Sequence, residues 1–506
     1  MEIIDFGFLS IVPIIITLAV AIWAKNVIIG LFSGIFSGVV ILHGFNPVNA
    51  LSLMVSDYFV PQMVSPSNAG ILVLMCFIGG FVALIEKSGG AIAFATKMTH
   101  IITSRFKAQI ATWLTGIAIF FSDLGTPLIV GPIYRPIIDK LKISRVKLAW
   151  IIDTTSSPVA VLVPFIGWGV YSMGLIETQY LSLGISEPAF DAYVKAIPFQ
   201  FYSIFAILMV PLVAYSGYEF GPMAKAEQQA QAQASASIQD DNGMALDDSF
   251  SHPNAKAIFV WLPLLVMVSV LFFLLVPLGF PLNSVPSLAF RGALSSAYFY
   301  SAITLITLMM VYGVKSFKDS VVIYFNGVSK MTSVLIILVF AWSLSAIGDN
   351  LGTPQYIISL ADGTFSPFFI PVIAFLFGAV MSFATGSSWG TYAIMMPLII
   401  AVADALGAPM HVSIGAVLSG GMFGDHCSPI SDTTILSSSG AGCSQFDHVK
   451  TQLPYELFNG SICIICYIVA GITESSLVFL PGIVILGFGL FFLNKVAGVK
   501  IHNYAN

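Results

Sequence analysis

The chain has 506 residues, of which 57% are hydrophobic and only 9% charged, with a mean hydropathy of +0.93 and a net charge of −5. A soluble domain carries about 25% charged residues, so this composition excludes one and calls for an all-α polytopic membrane protein. The acidic balance, with no basic and aromatic-interleaved surface, also argues against nucleic acid as a partner.

The first apolar block, Phe8 to Trp23, follows Glu2 and Asp5 and has neither a basic leader nor a small-residue cleavage site. It reads as a retained N-terminal helix over residues 1–24, not as a signal peptide. Apolar stretches then predict about eleven transmembrane helices, at 8–24, 26–43, 69–86, 148–176, 198–216, 257–278, 292–314, 331–348, 411–440, 457–475 and 477–494.

Two apolar stretches are not simple spans. Residues 108–138 are interrupted at Ser122-Asp123-Leu124-Gly125-Thr126-Pro127, and each arm is too short to cross the bilayer. Basic residues flank both ends: Lys97, Arg105 and Lys107 before, then Arg135, Lys140, Lys142, Arg145 and Lys147 after. Such residues prefer the cytoplasmic side, so a re-entrant hairpin with its tip at the break is expected. Residues 367–403 are interrupted at Thr385-Gly386-Ser387-Ser388-Trp389-Gly390-Thr391, among acidic flanks (Asp349, Asp362, Asp404), and should enter from the outer face.

A shift of 265 residues carries Ser122 to Thr126 onto Ser387 to Thr391, Pro132 onto Pro397 and Asp139 onto Asp404. After a small insertion, Asp153-Thr154-Thr155-Ser156-Ser157-Pro158 matches Asp425-His426-Cys427-Ser428-Pro429. Interrupted segments at corresponding positions in two halves mark a transporter binding site. The expected organisation is a first inverted repeat over 25–216, an Ala/Gln-rich, acidic and mobile cytoplasmic linker over 217–256, and a connecting helix over 257–290. A second repeat follows over 291–475, then a C-terminal helix and tail over 476–506. Eleven spans place the N-terminus outside, and Lys495 and Lys500 place the C-terminus in the cytoplasm.

Ionisable groups are costly at membrane depth, which makes Asp123, Asp153, Asp425, Asp432 and His426 candidate ion or proton sites. A carboxylate in a low-dielectric pocket holds a proton or a cation but seldom both, and that competition couples the two fluxes. Na⁺ is expected at Asp425, Asp432 and Asp153, with Ser428, Thr433, Ser157, Thr126, Ser387, Ser388 and Thr391 as neutral ligands. Each residue also has a plainer role. Asp425, Asp153 and Asp123 suit helix caps, and His426 suits either a proton relay or a hydrogen bond within the break. Asp139 and Asp404 suit solvated or capping positions, and Glu456 and Glu474 suit the interface. Trp168 and Trp389 suit packing, with gating as a further role for Trp389. Cys463 and Cys466, in a membrane helix without a second pair, suit helix packing.

The run Gly424-Asp425-His426-Cys427-Ser428-Pro429-Ile430-Ser431-Asp432-Thr433-Thr434, with Ala384 to Thr391, resembles the NhaC family of Na⁺/H⁺ antiporters. The resemblance covers most of the chain and is strongest in its second half. It implies a secondary transporter of the bacterial inner membrane, a homodimer in lipid with scaffold and elevator-type transport domains, whose hairpin tips face the substrate. The related dicarboxylate carriers use Ser-Asn-Thr at these tips, whereas the acidic tip here favours a cation. Exchange of Na⁺, or of Li⁺, for H⁺ is the leading expectation. The alternative is Na⁺- or H⁺-coupled movement of a small organic solute: an organic acid, amino acid or organic cation. No cofactor is called for beyond the transported or coupling ions. Without a nucleophile elbow or metal-ligand spacing, an enzyme is not expected.

Overall fold

The computed structural model describes residues 6–99, 102–232, 252–353, 355–356, 359 and 366–501. Its described part is helical apart from one two-stranded ribbon. Among the described residues eight helices are long and apolar enough to cross a membrane, and a ninth span is completed if Ala189–Phe199 and Phe201–Ser216, bent by 47°, count as one. The difference from eleven has local causes. Val12–Ala24 and Val27–Leu42 have 13 and 16 residues and rise only about 20 to 24 Å. The predicted spans 148–176 and 411–440 are each divided by a Ser-Pro break.

The two interrupted stretches form two pairs of helices. Arg105–Ala118 and Gly125–Lys140, with 14 and 16 residues, are too short to span singly. In the second pair, by contrast, Pro367–Thr385 and Ser388–Leu406 each reach span length with 19 residues. Gly386, at φ +65°, ends the first of these arms in the left-handed conformation, and Ser387 then caps the next by accepting from Gly390 N at 3.2 Å. Ser104 caps Arg105–Ala118 in the same way.

The halves interlock. The arm Gly125–Lys140 packs on Arg145–Thr154 and on Asp432–Ala441 of the other half. Backbones nearly touch there: a Cβ on Gly440 would lie 2.3 Å from the Pro127 carbonyl oxygen. The arms Ile370–Thr385 and Ser388–Leu406 pack on Met410–Cys427. Phe273, Phe488 and Phe491 lie exposed on Ile258–Leu275 and Phe479–Ala497, as expected of lipid-facing helices.

The predicted mobile linker needs correction at its start. Tyr218–Glu219 pairs antiparallel with Val499–Lys500, and Gly221–Ala232 is a docked helix. Its Glu227 is buried in an ion pair with Arg105 and accepts from Ser144 N at 2.7 Å. Lys147 Nζ meets Glu219 at 2.7 Å. The paired charges fasten this segment, and an Ala/Gln-rich composition suits a helix as well as a coil. The remaining acidic stretch, residues 233–251, lies outside the described residues.

Candidate functional site

Each half carries an aspartate at the end of a helix, just before a break. Asp153 precedes the end of Arg145–Thr154, and Asp425 lies two residues before the end of Met410–Cys427. Pro158 and Pro429 follow, and proline cannot supply the backbone donor that continued helix requires.

Asp153 is fully buried and richly partnered. It accepts from Gln452 Nε2 at 3.1 Å, Ser437 Oγ at 3.3 Å and Thr434 Oγ1 at 3.5 Å, and pairs with His448 Nε2 at 3.3 Å. His426 Nε2 stands 3.6 Å away. The other ring nitrogen of His426 bonds Tyr202 OH at 2.9 Å and lies 3.5 Å from Glu456. Glu456 in turn accepts from Tyr202 OH and, at 3.1 Å, from Trp150 Nε1. Two carboxylates and two imidazoles thus form one connected interior network. The carboxylate oxygens are well partnered, which makes their burial tolerable, whereas among the described residues His426 Nε2, His448 Nδ1 and Gln452 Oε1 make no hydrogen bond.

Asp425 is buried differently. The groups acting on it are the Ser431 hydroxyl, the adjacent His426, and two further carboxylates, Asp153 and Asp432. Asp432 is exposed in the first turn of Asp432–Ala441. Among the described residues no three or more His, Cys, Asp or Glu side chains converge to hold a metal ion, so Asp425, Asp432 and Asp153 do not form one carboxylate cage.

The hydroxyls surround the breaks. Ser428 Oγ donates to the Phe383 carbonyl at 2.8 Å, Ser388 Oγ to Gly421 at 3.1 Å, Thr391 Oγ1 to Ser387 at 2.9 Å and Thr126 Oγ1 to Ser122 at 2.9 Å. Thr433 Oγ1 and Ser431 Oγ are 3.1 Å apart, and the buried Ser157 hydroxyl has no partner among the described residues. A hydroxyl that donates its proton to a carbonyl keeps oxygen lone pairs for a cation.

The breaks of the two helix pairs are joined through aromatic rings. Asp123, half-buried, accepts from Trp168 Nε1 at 3.0 Å, and Trp168 lies 4.1 Å from Trp389. Tyr171 OH donates to the Trp389 carbonyl at 2.6 Å. Ser122 Oγ donates to Glu86, which comes from Pro66–Lys87 outside both pairs.

Sequence reasoning did not find Glu86, Tyr202, His448 or Gln452, and it assigned Glu456 to the interface, whereas Glu456 is buried. A signal for three of them existed: His448, Gln452 and Glu456 recur every four residues and so share one face of their helix. Asp139 is ion-paired with Arg145 at 3.0 Å, and Asp404 is exposed. Cys463 and Cys466 are free and buried in Gln445–Thr473.

Comparison with known proteins gives this arrangement a family. Residues 159–472 match the model of the Na⁺/H⁺ antiporter family. An uncharacterized protein of Haemophilus influenzae is 33% identical over 94% of both chains. A malate-2H⁺/Na⁺-lactate antiporter of Bacillus subtilis is 31% identical over 29% of this chain and 31% of its own. The Na⁺/H⁺ antiporter NhaC of Alkalihalophilus pseudofirmus is 28% identical over 28% of this chain and 29% of its own. The YdaH transporter of Alcanivorax borkumensis has a similar fold, with a TM-score of 0.56 at 14% identity, covering 84% of this chain and 89% of that one. The chain is therefore a multi-pass membrane transporter that belongs to the Na⁺/H⁺ antiporter family of NhaC type.

Proposed function

We propose that this protein exchanges Na⁺, with Li⁺ as a second candidate, for H⁺ by alternating access in the bacterial inner membrane. The observation that carries this reading is the contrast between the two aspartates. Asp153 is held by the His448 imidazole, the Gln452 amide and two hydroxyls, while Asp425 has the Ser431 hydroxyl and the adjacent His426 with two further carboxylates acting on it. A dehydrated cation is drawn to Asp425, with Ser428, Ser431, Thr433 and carbonyls freed at the break as neutral ligands, and with the Ser387, Ser388 and Thr391 hydroxyls on the facing pair. Asp153, already engaged by His448 and Gln452, serves the proton side of the exchange. His426 lies between the two and couples them.

The charge distribution supports an orientation. Arg135, Lys140, Lys142, Arg145, Lys225 and Lys450 gather around one basin with Val499, near the C-terminal end, which suits the cytoplasmic face and a periplasmic N-terminus. A homodimer with an elevator-type moving domain, and re-entrant hairpins at the two breaks, complete the reading.

A second reading is Na⁺- or H⁺-coupled movement of a small organic solute. The Trp168–Trp389 pair beside Asp123 favours it, because aromatic faces and a carboxylate together suit an organic cation or amino acid. Proteoliposomes with a preset pH gradient separate the two. Na⁺ should collapse the gradient in the wild type and not in Asp425→Asn. No response to Na⁺ or Li⁺ from about pH 6 to about pH 9 would sink the antiport reading.

A further inference from the structure

The Gln445–Thr473 helix turns one polar stripe inward. His448, Gln452, Glu456 and Asn459 are all buried, at intervals that place them on one face. From His448 to Glu456 the stripe climbs about 12 Å. So long a polar ladder is costly at membrane depth unless it is used.

Its lower end is asymmetric. His448 Nε2 is paired with Asp153 at 3.3 Å, whereas Nδ1 of the same fully buried ring has no hydrogen-bond partner among the described residues. The adjoining residues Asp447, Lys450 and Thr451 line the open basin bounded by Arg145, Asp139 and Lys225. The imidazole itself is fully buried behind these lining residues, with Asp153 on its Nε2 side. Beyond Asp153, His426 Nε2 is 3.6 Å distant. The charged and titratable groups around His448 are Asp153 from Arg145–Thr154, His426 from Met410–Cys427, and Asp447, Lys450 and Glu456 on its own helix. Asp432–Ala441 presents the Thr434 and Ser437 hydroxyls to the same carboxylate.

We propose that His448 is the proton-entry residue of the exchanger, carrying protons between the basin and Asp153 along a route separate from the cation site at Asp425. The ring takes a proton at Nδ1 from basin water and releases one from Nε2 to Asp153 Oδ2, which hands it on to His426 Nε2. Reorientation of the ring, which turns the protonated Nδ1 toward Asp153 and the bare Nε2 toward the basin, readies it for the next proton. An imidazole suits this step because its two nitrogens can bind and release a proton on opposite sides. The inference rests on the antiport reading above.

The test measures two fluxes on the full chain in proteoliposomes: Na⁺-driven proton movement, and exchange of labelled sodium for unlabelled sodium, which requires no proton. His448→Gln keeps an amide donor for Asp153 but cannot relay. It should lower proton movement by about tenfold or more while sodium–sodium exchange persists. In His448→Ala, imidazole supplied on the basin side should restore proton movement. Wild-type proton movement in His448→Gln would overturn the relay. So would an equal fall of both fluxes that imidazole fails to reverse in His448→Ala. Absence of both fluxes in the wild type would instead overturn the antiport reading, and the relay with it.

Discussion

The indole Nε1 of Trp168 donates to Asp123 Oδ2 at 3.0 Å, and the same ring lies 4.1 Å from Trp389. One side chain therefore connects the break of the first helix pair to that of the second. Trp168→Phe keeps an aromatic ring against Trp389 but removes the donor. A hydrogen bond to a charged group contributes about 1.5 to 3 kcal/mol, so releasing Asp123 from the indole should change apparent cation affinity by about tenfold or more if Asp123 belongs to the transport site. Initial transport rates against Na⁺ concentration check this, and an unaltered KM would separate Asp123 from the transport site.

Close packing between the Gly125–Lys140 and Asp432–Ala441 helices makes a second prediction. A Cβ on Gly440 would lie 2.3 Å from the Pro127 carbonyl oxygen, and backbone cannot swing aside as a side-chain tip can. Gly440→Ala should cost about 1 to 3 kcal/mol, seen as a lowered Tm in detergent. Gly487→Ala is the control, since nothing lies within 4 Å of the Cβ it adds. Equal Tm values for the two variants would refute the close approach.

The contrast between legible and illegible features follows from where each partner lies along the chain. Ser122 to Pro127 and Thr385 to Thr391 are visible because glycine, proline and hydroxyls interrupt apolar runs. Asp153 and Asp425 are visible because a lone carboxylate in such a run is costly. The network around Asp153 is not visible, because Gln452 lies 299 positions away and Trp150 reaches Glu456 across 306. The docked Gly221–Ala232 helix was hidden for a similar reason. Its composition is that of a solvated segment, and the partners that fasten it, such as Arg105 and the Ser144 amide, lie far away along the chain.

That helix supplies a third prediction. Arg105 and Glu227 are both buried, with side-chain exposures of 5% and 2%, and Arg105 also donates to the Leu141 carbonyl at 2.9 Å. Removing one member leaves a buried charge without its partner, at a cost of about 3 to 5 kcal/mol. Arg105→Met and Glu227→Leu should each lower Tm strongly, while the double variant should lose less than the two losses added together. Simple additivity would show that the pair is not coupled.

Glu187 gives a pH-dependent prediction at the opposite end from this strap. Burial acts to raise its carboxyl, but hydrogen bonds from Lys195 Nζ at 2.6 Å and His411 Nε2 at 2.9 Å outweigh it and hold the group below its ordinary value. A carboxylate whose folded pKa is depressed leaves the unfolded chain binding more protons, so its contribution is complete above the ordinary range. It is lost as pH falls through the unfolded value and then the folded one. The Tm difference between wild type and Glu187→Gln should therefore be largest near about pH 6 and shrink towards about pH 3.5. Lys195 is largely exposed, with a side-chain exposure of 57%, so salt should weaken its share of the effect more than that of His411. A Tm difference that stays constant across this range would mean that Glu187 acts through packing and not through charge.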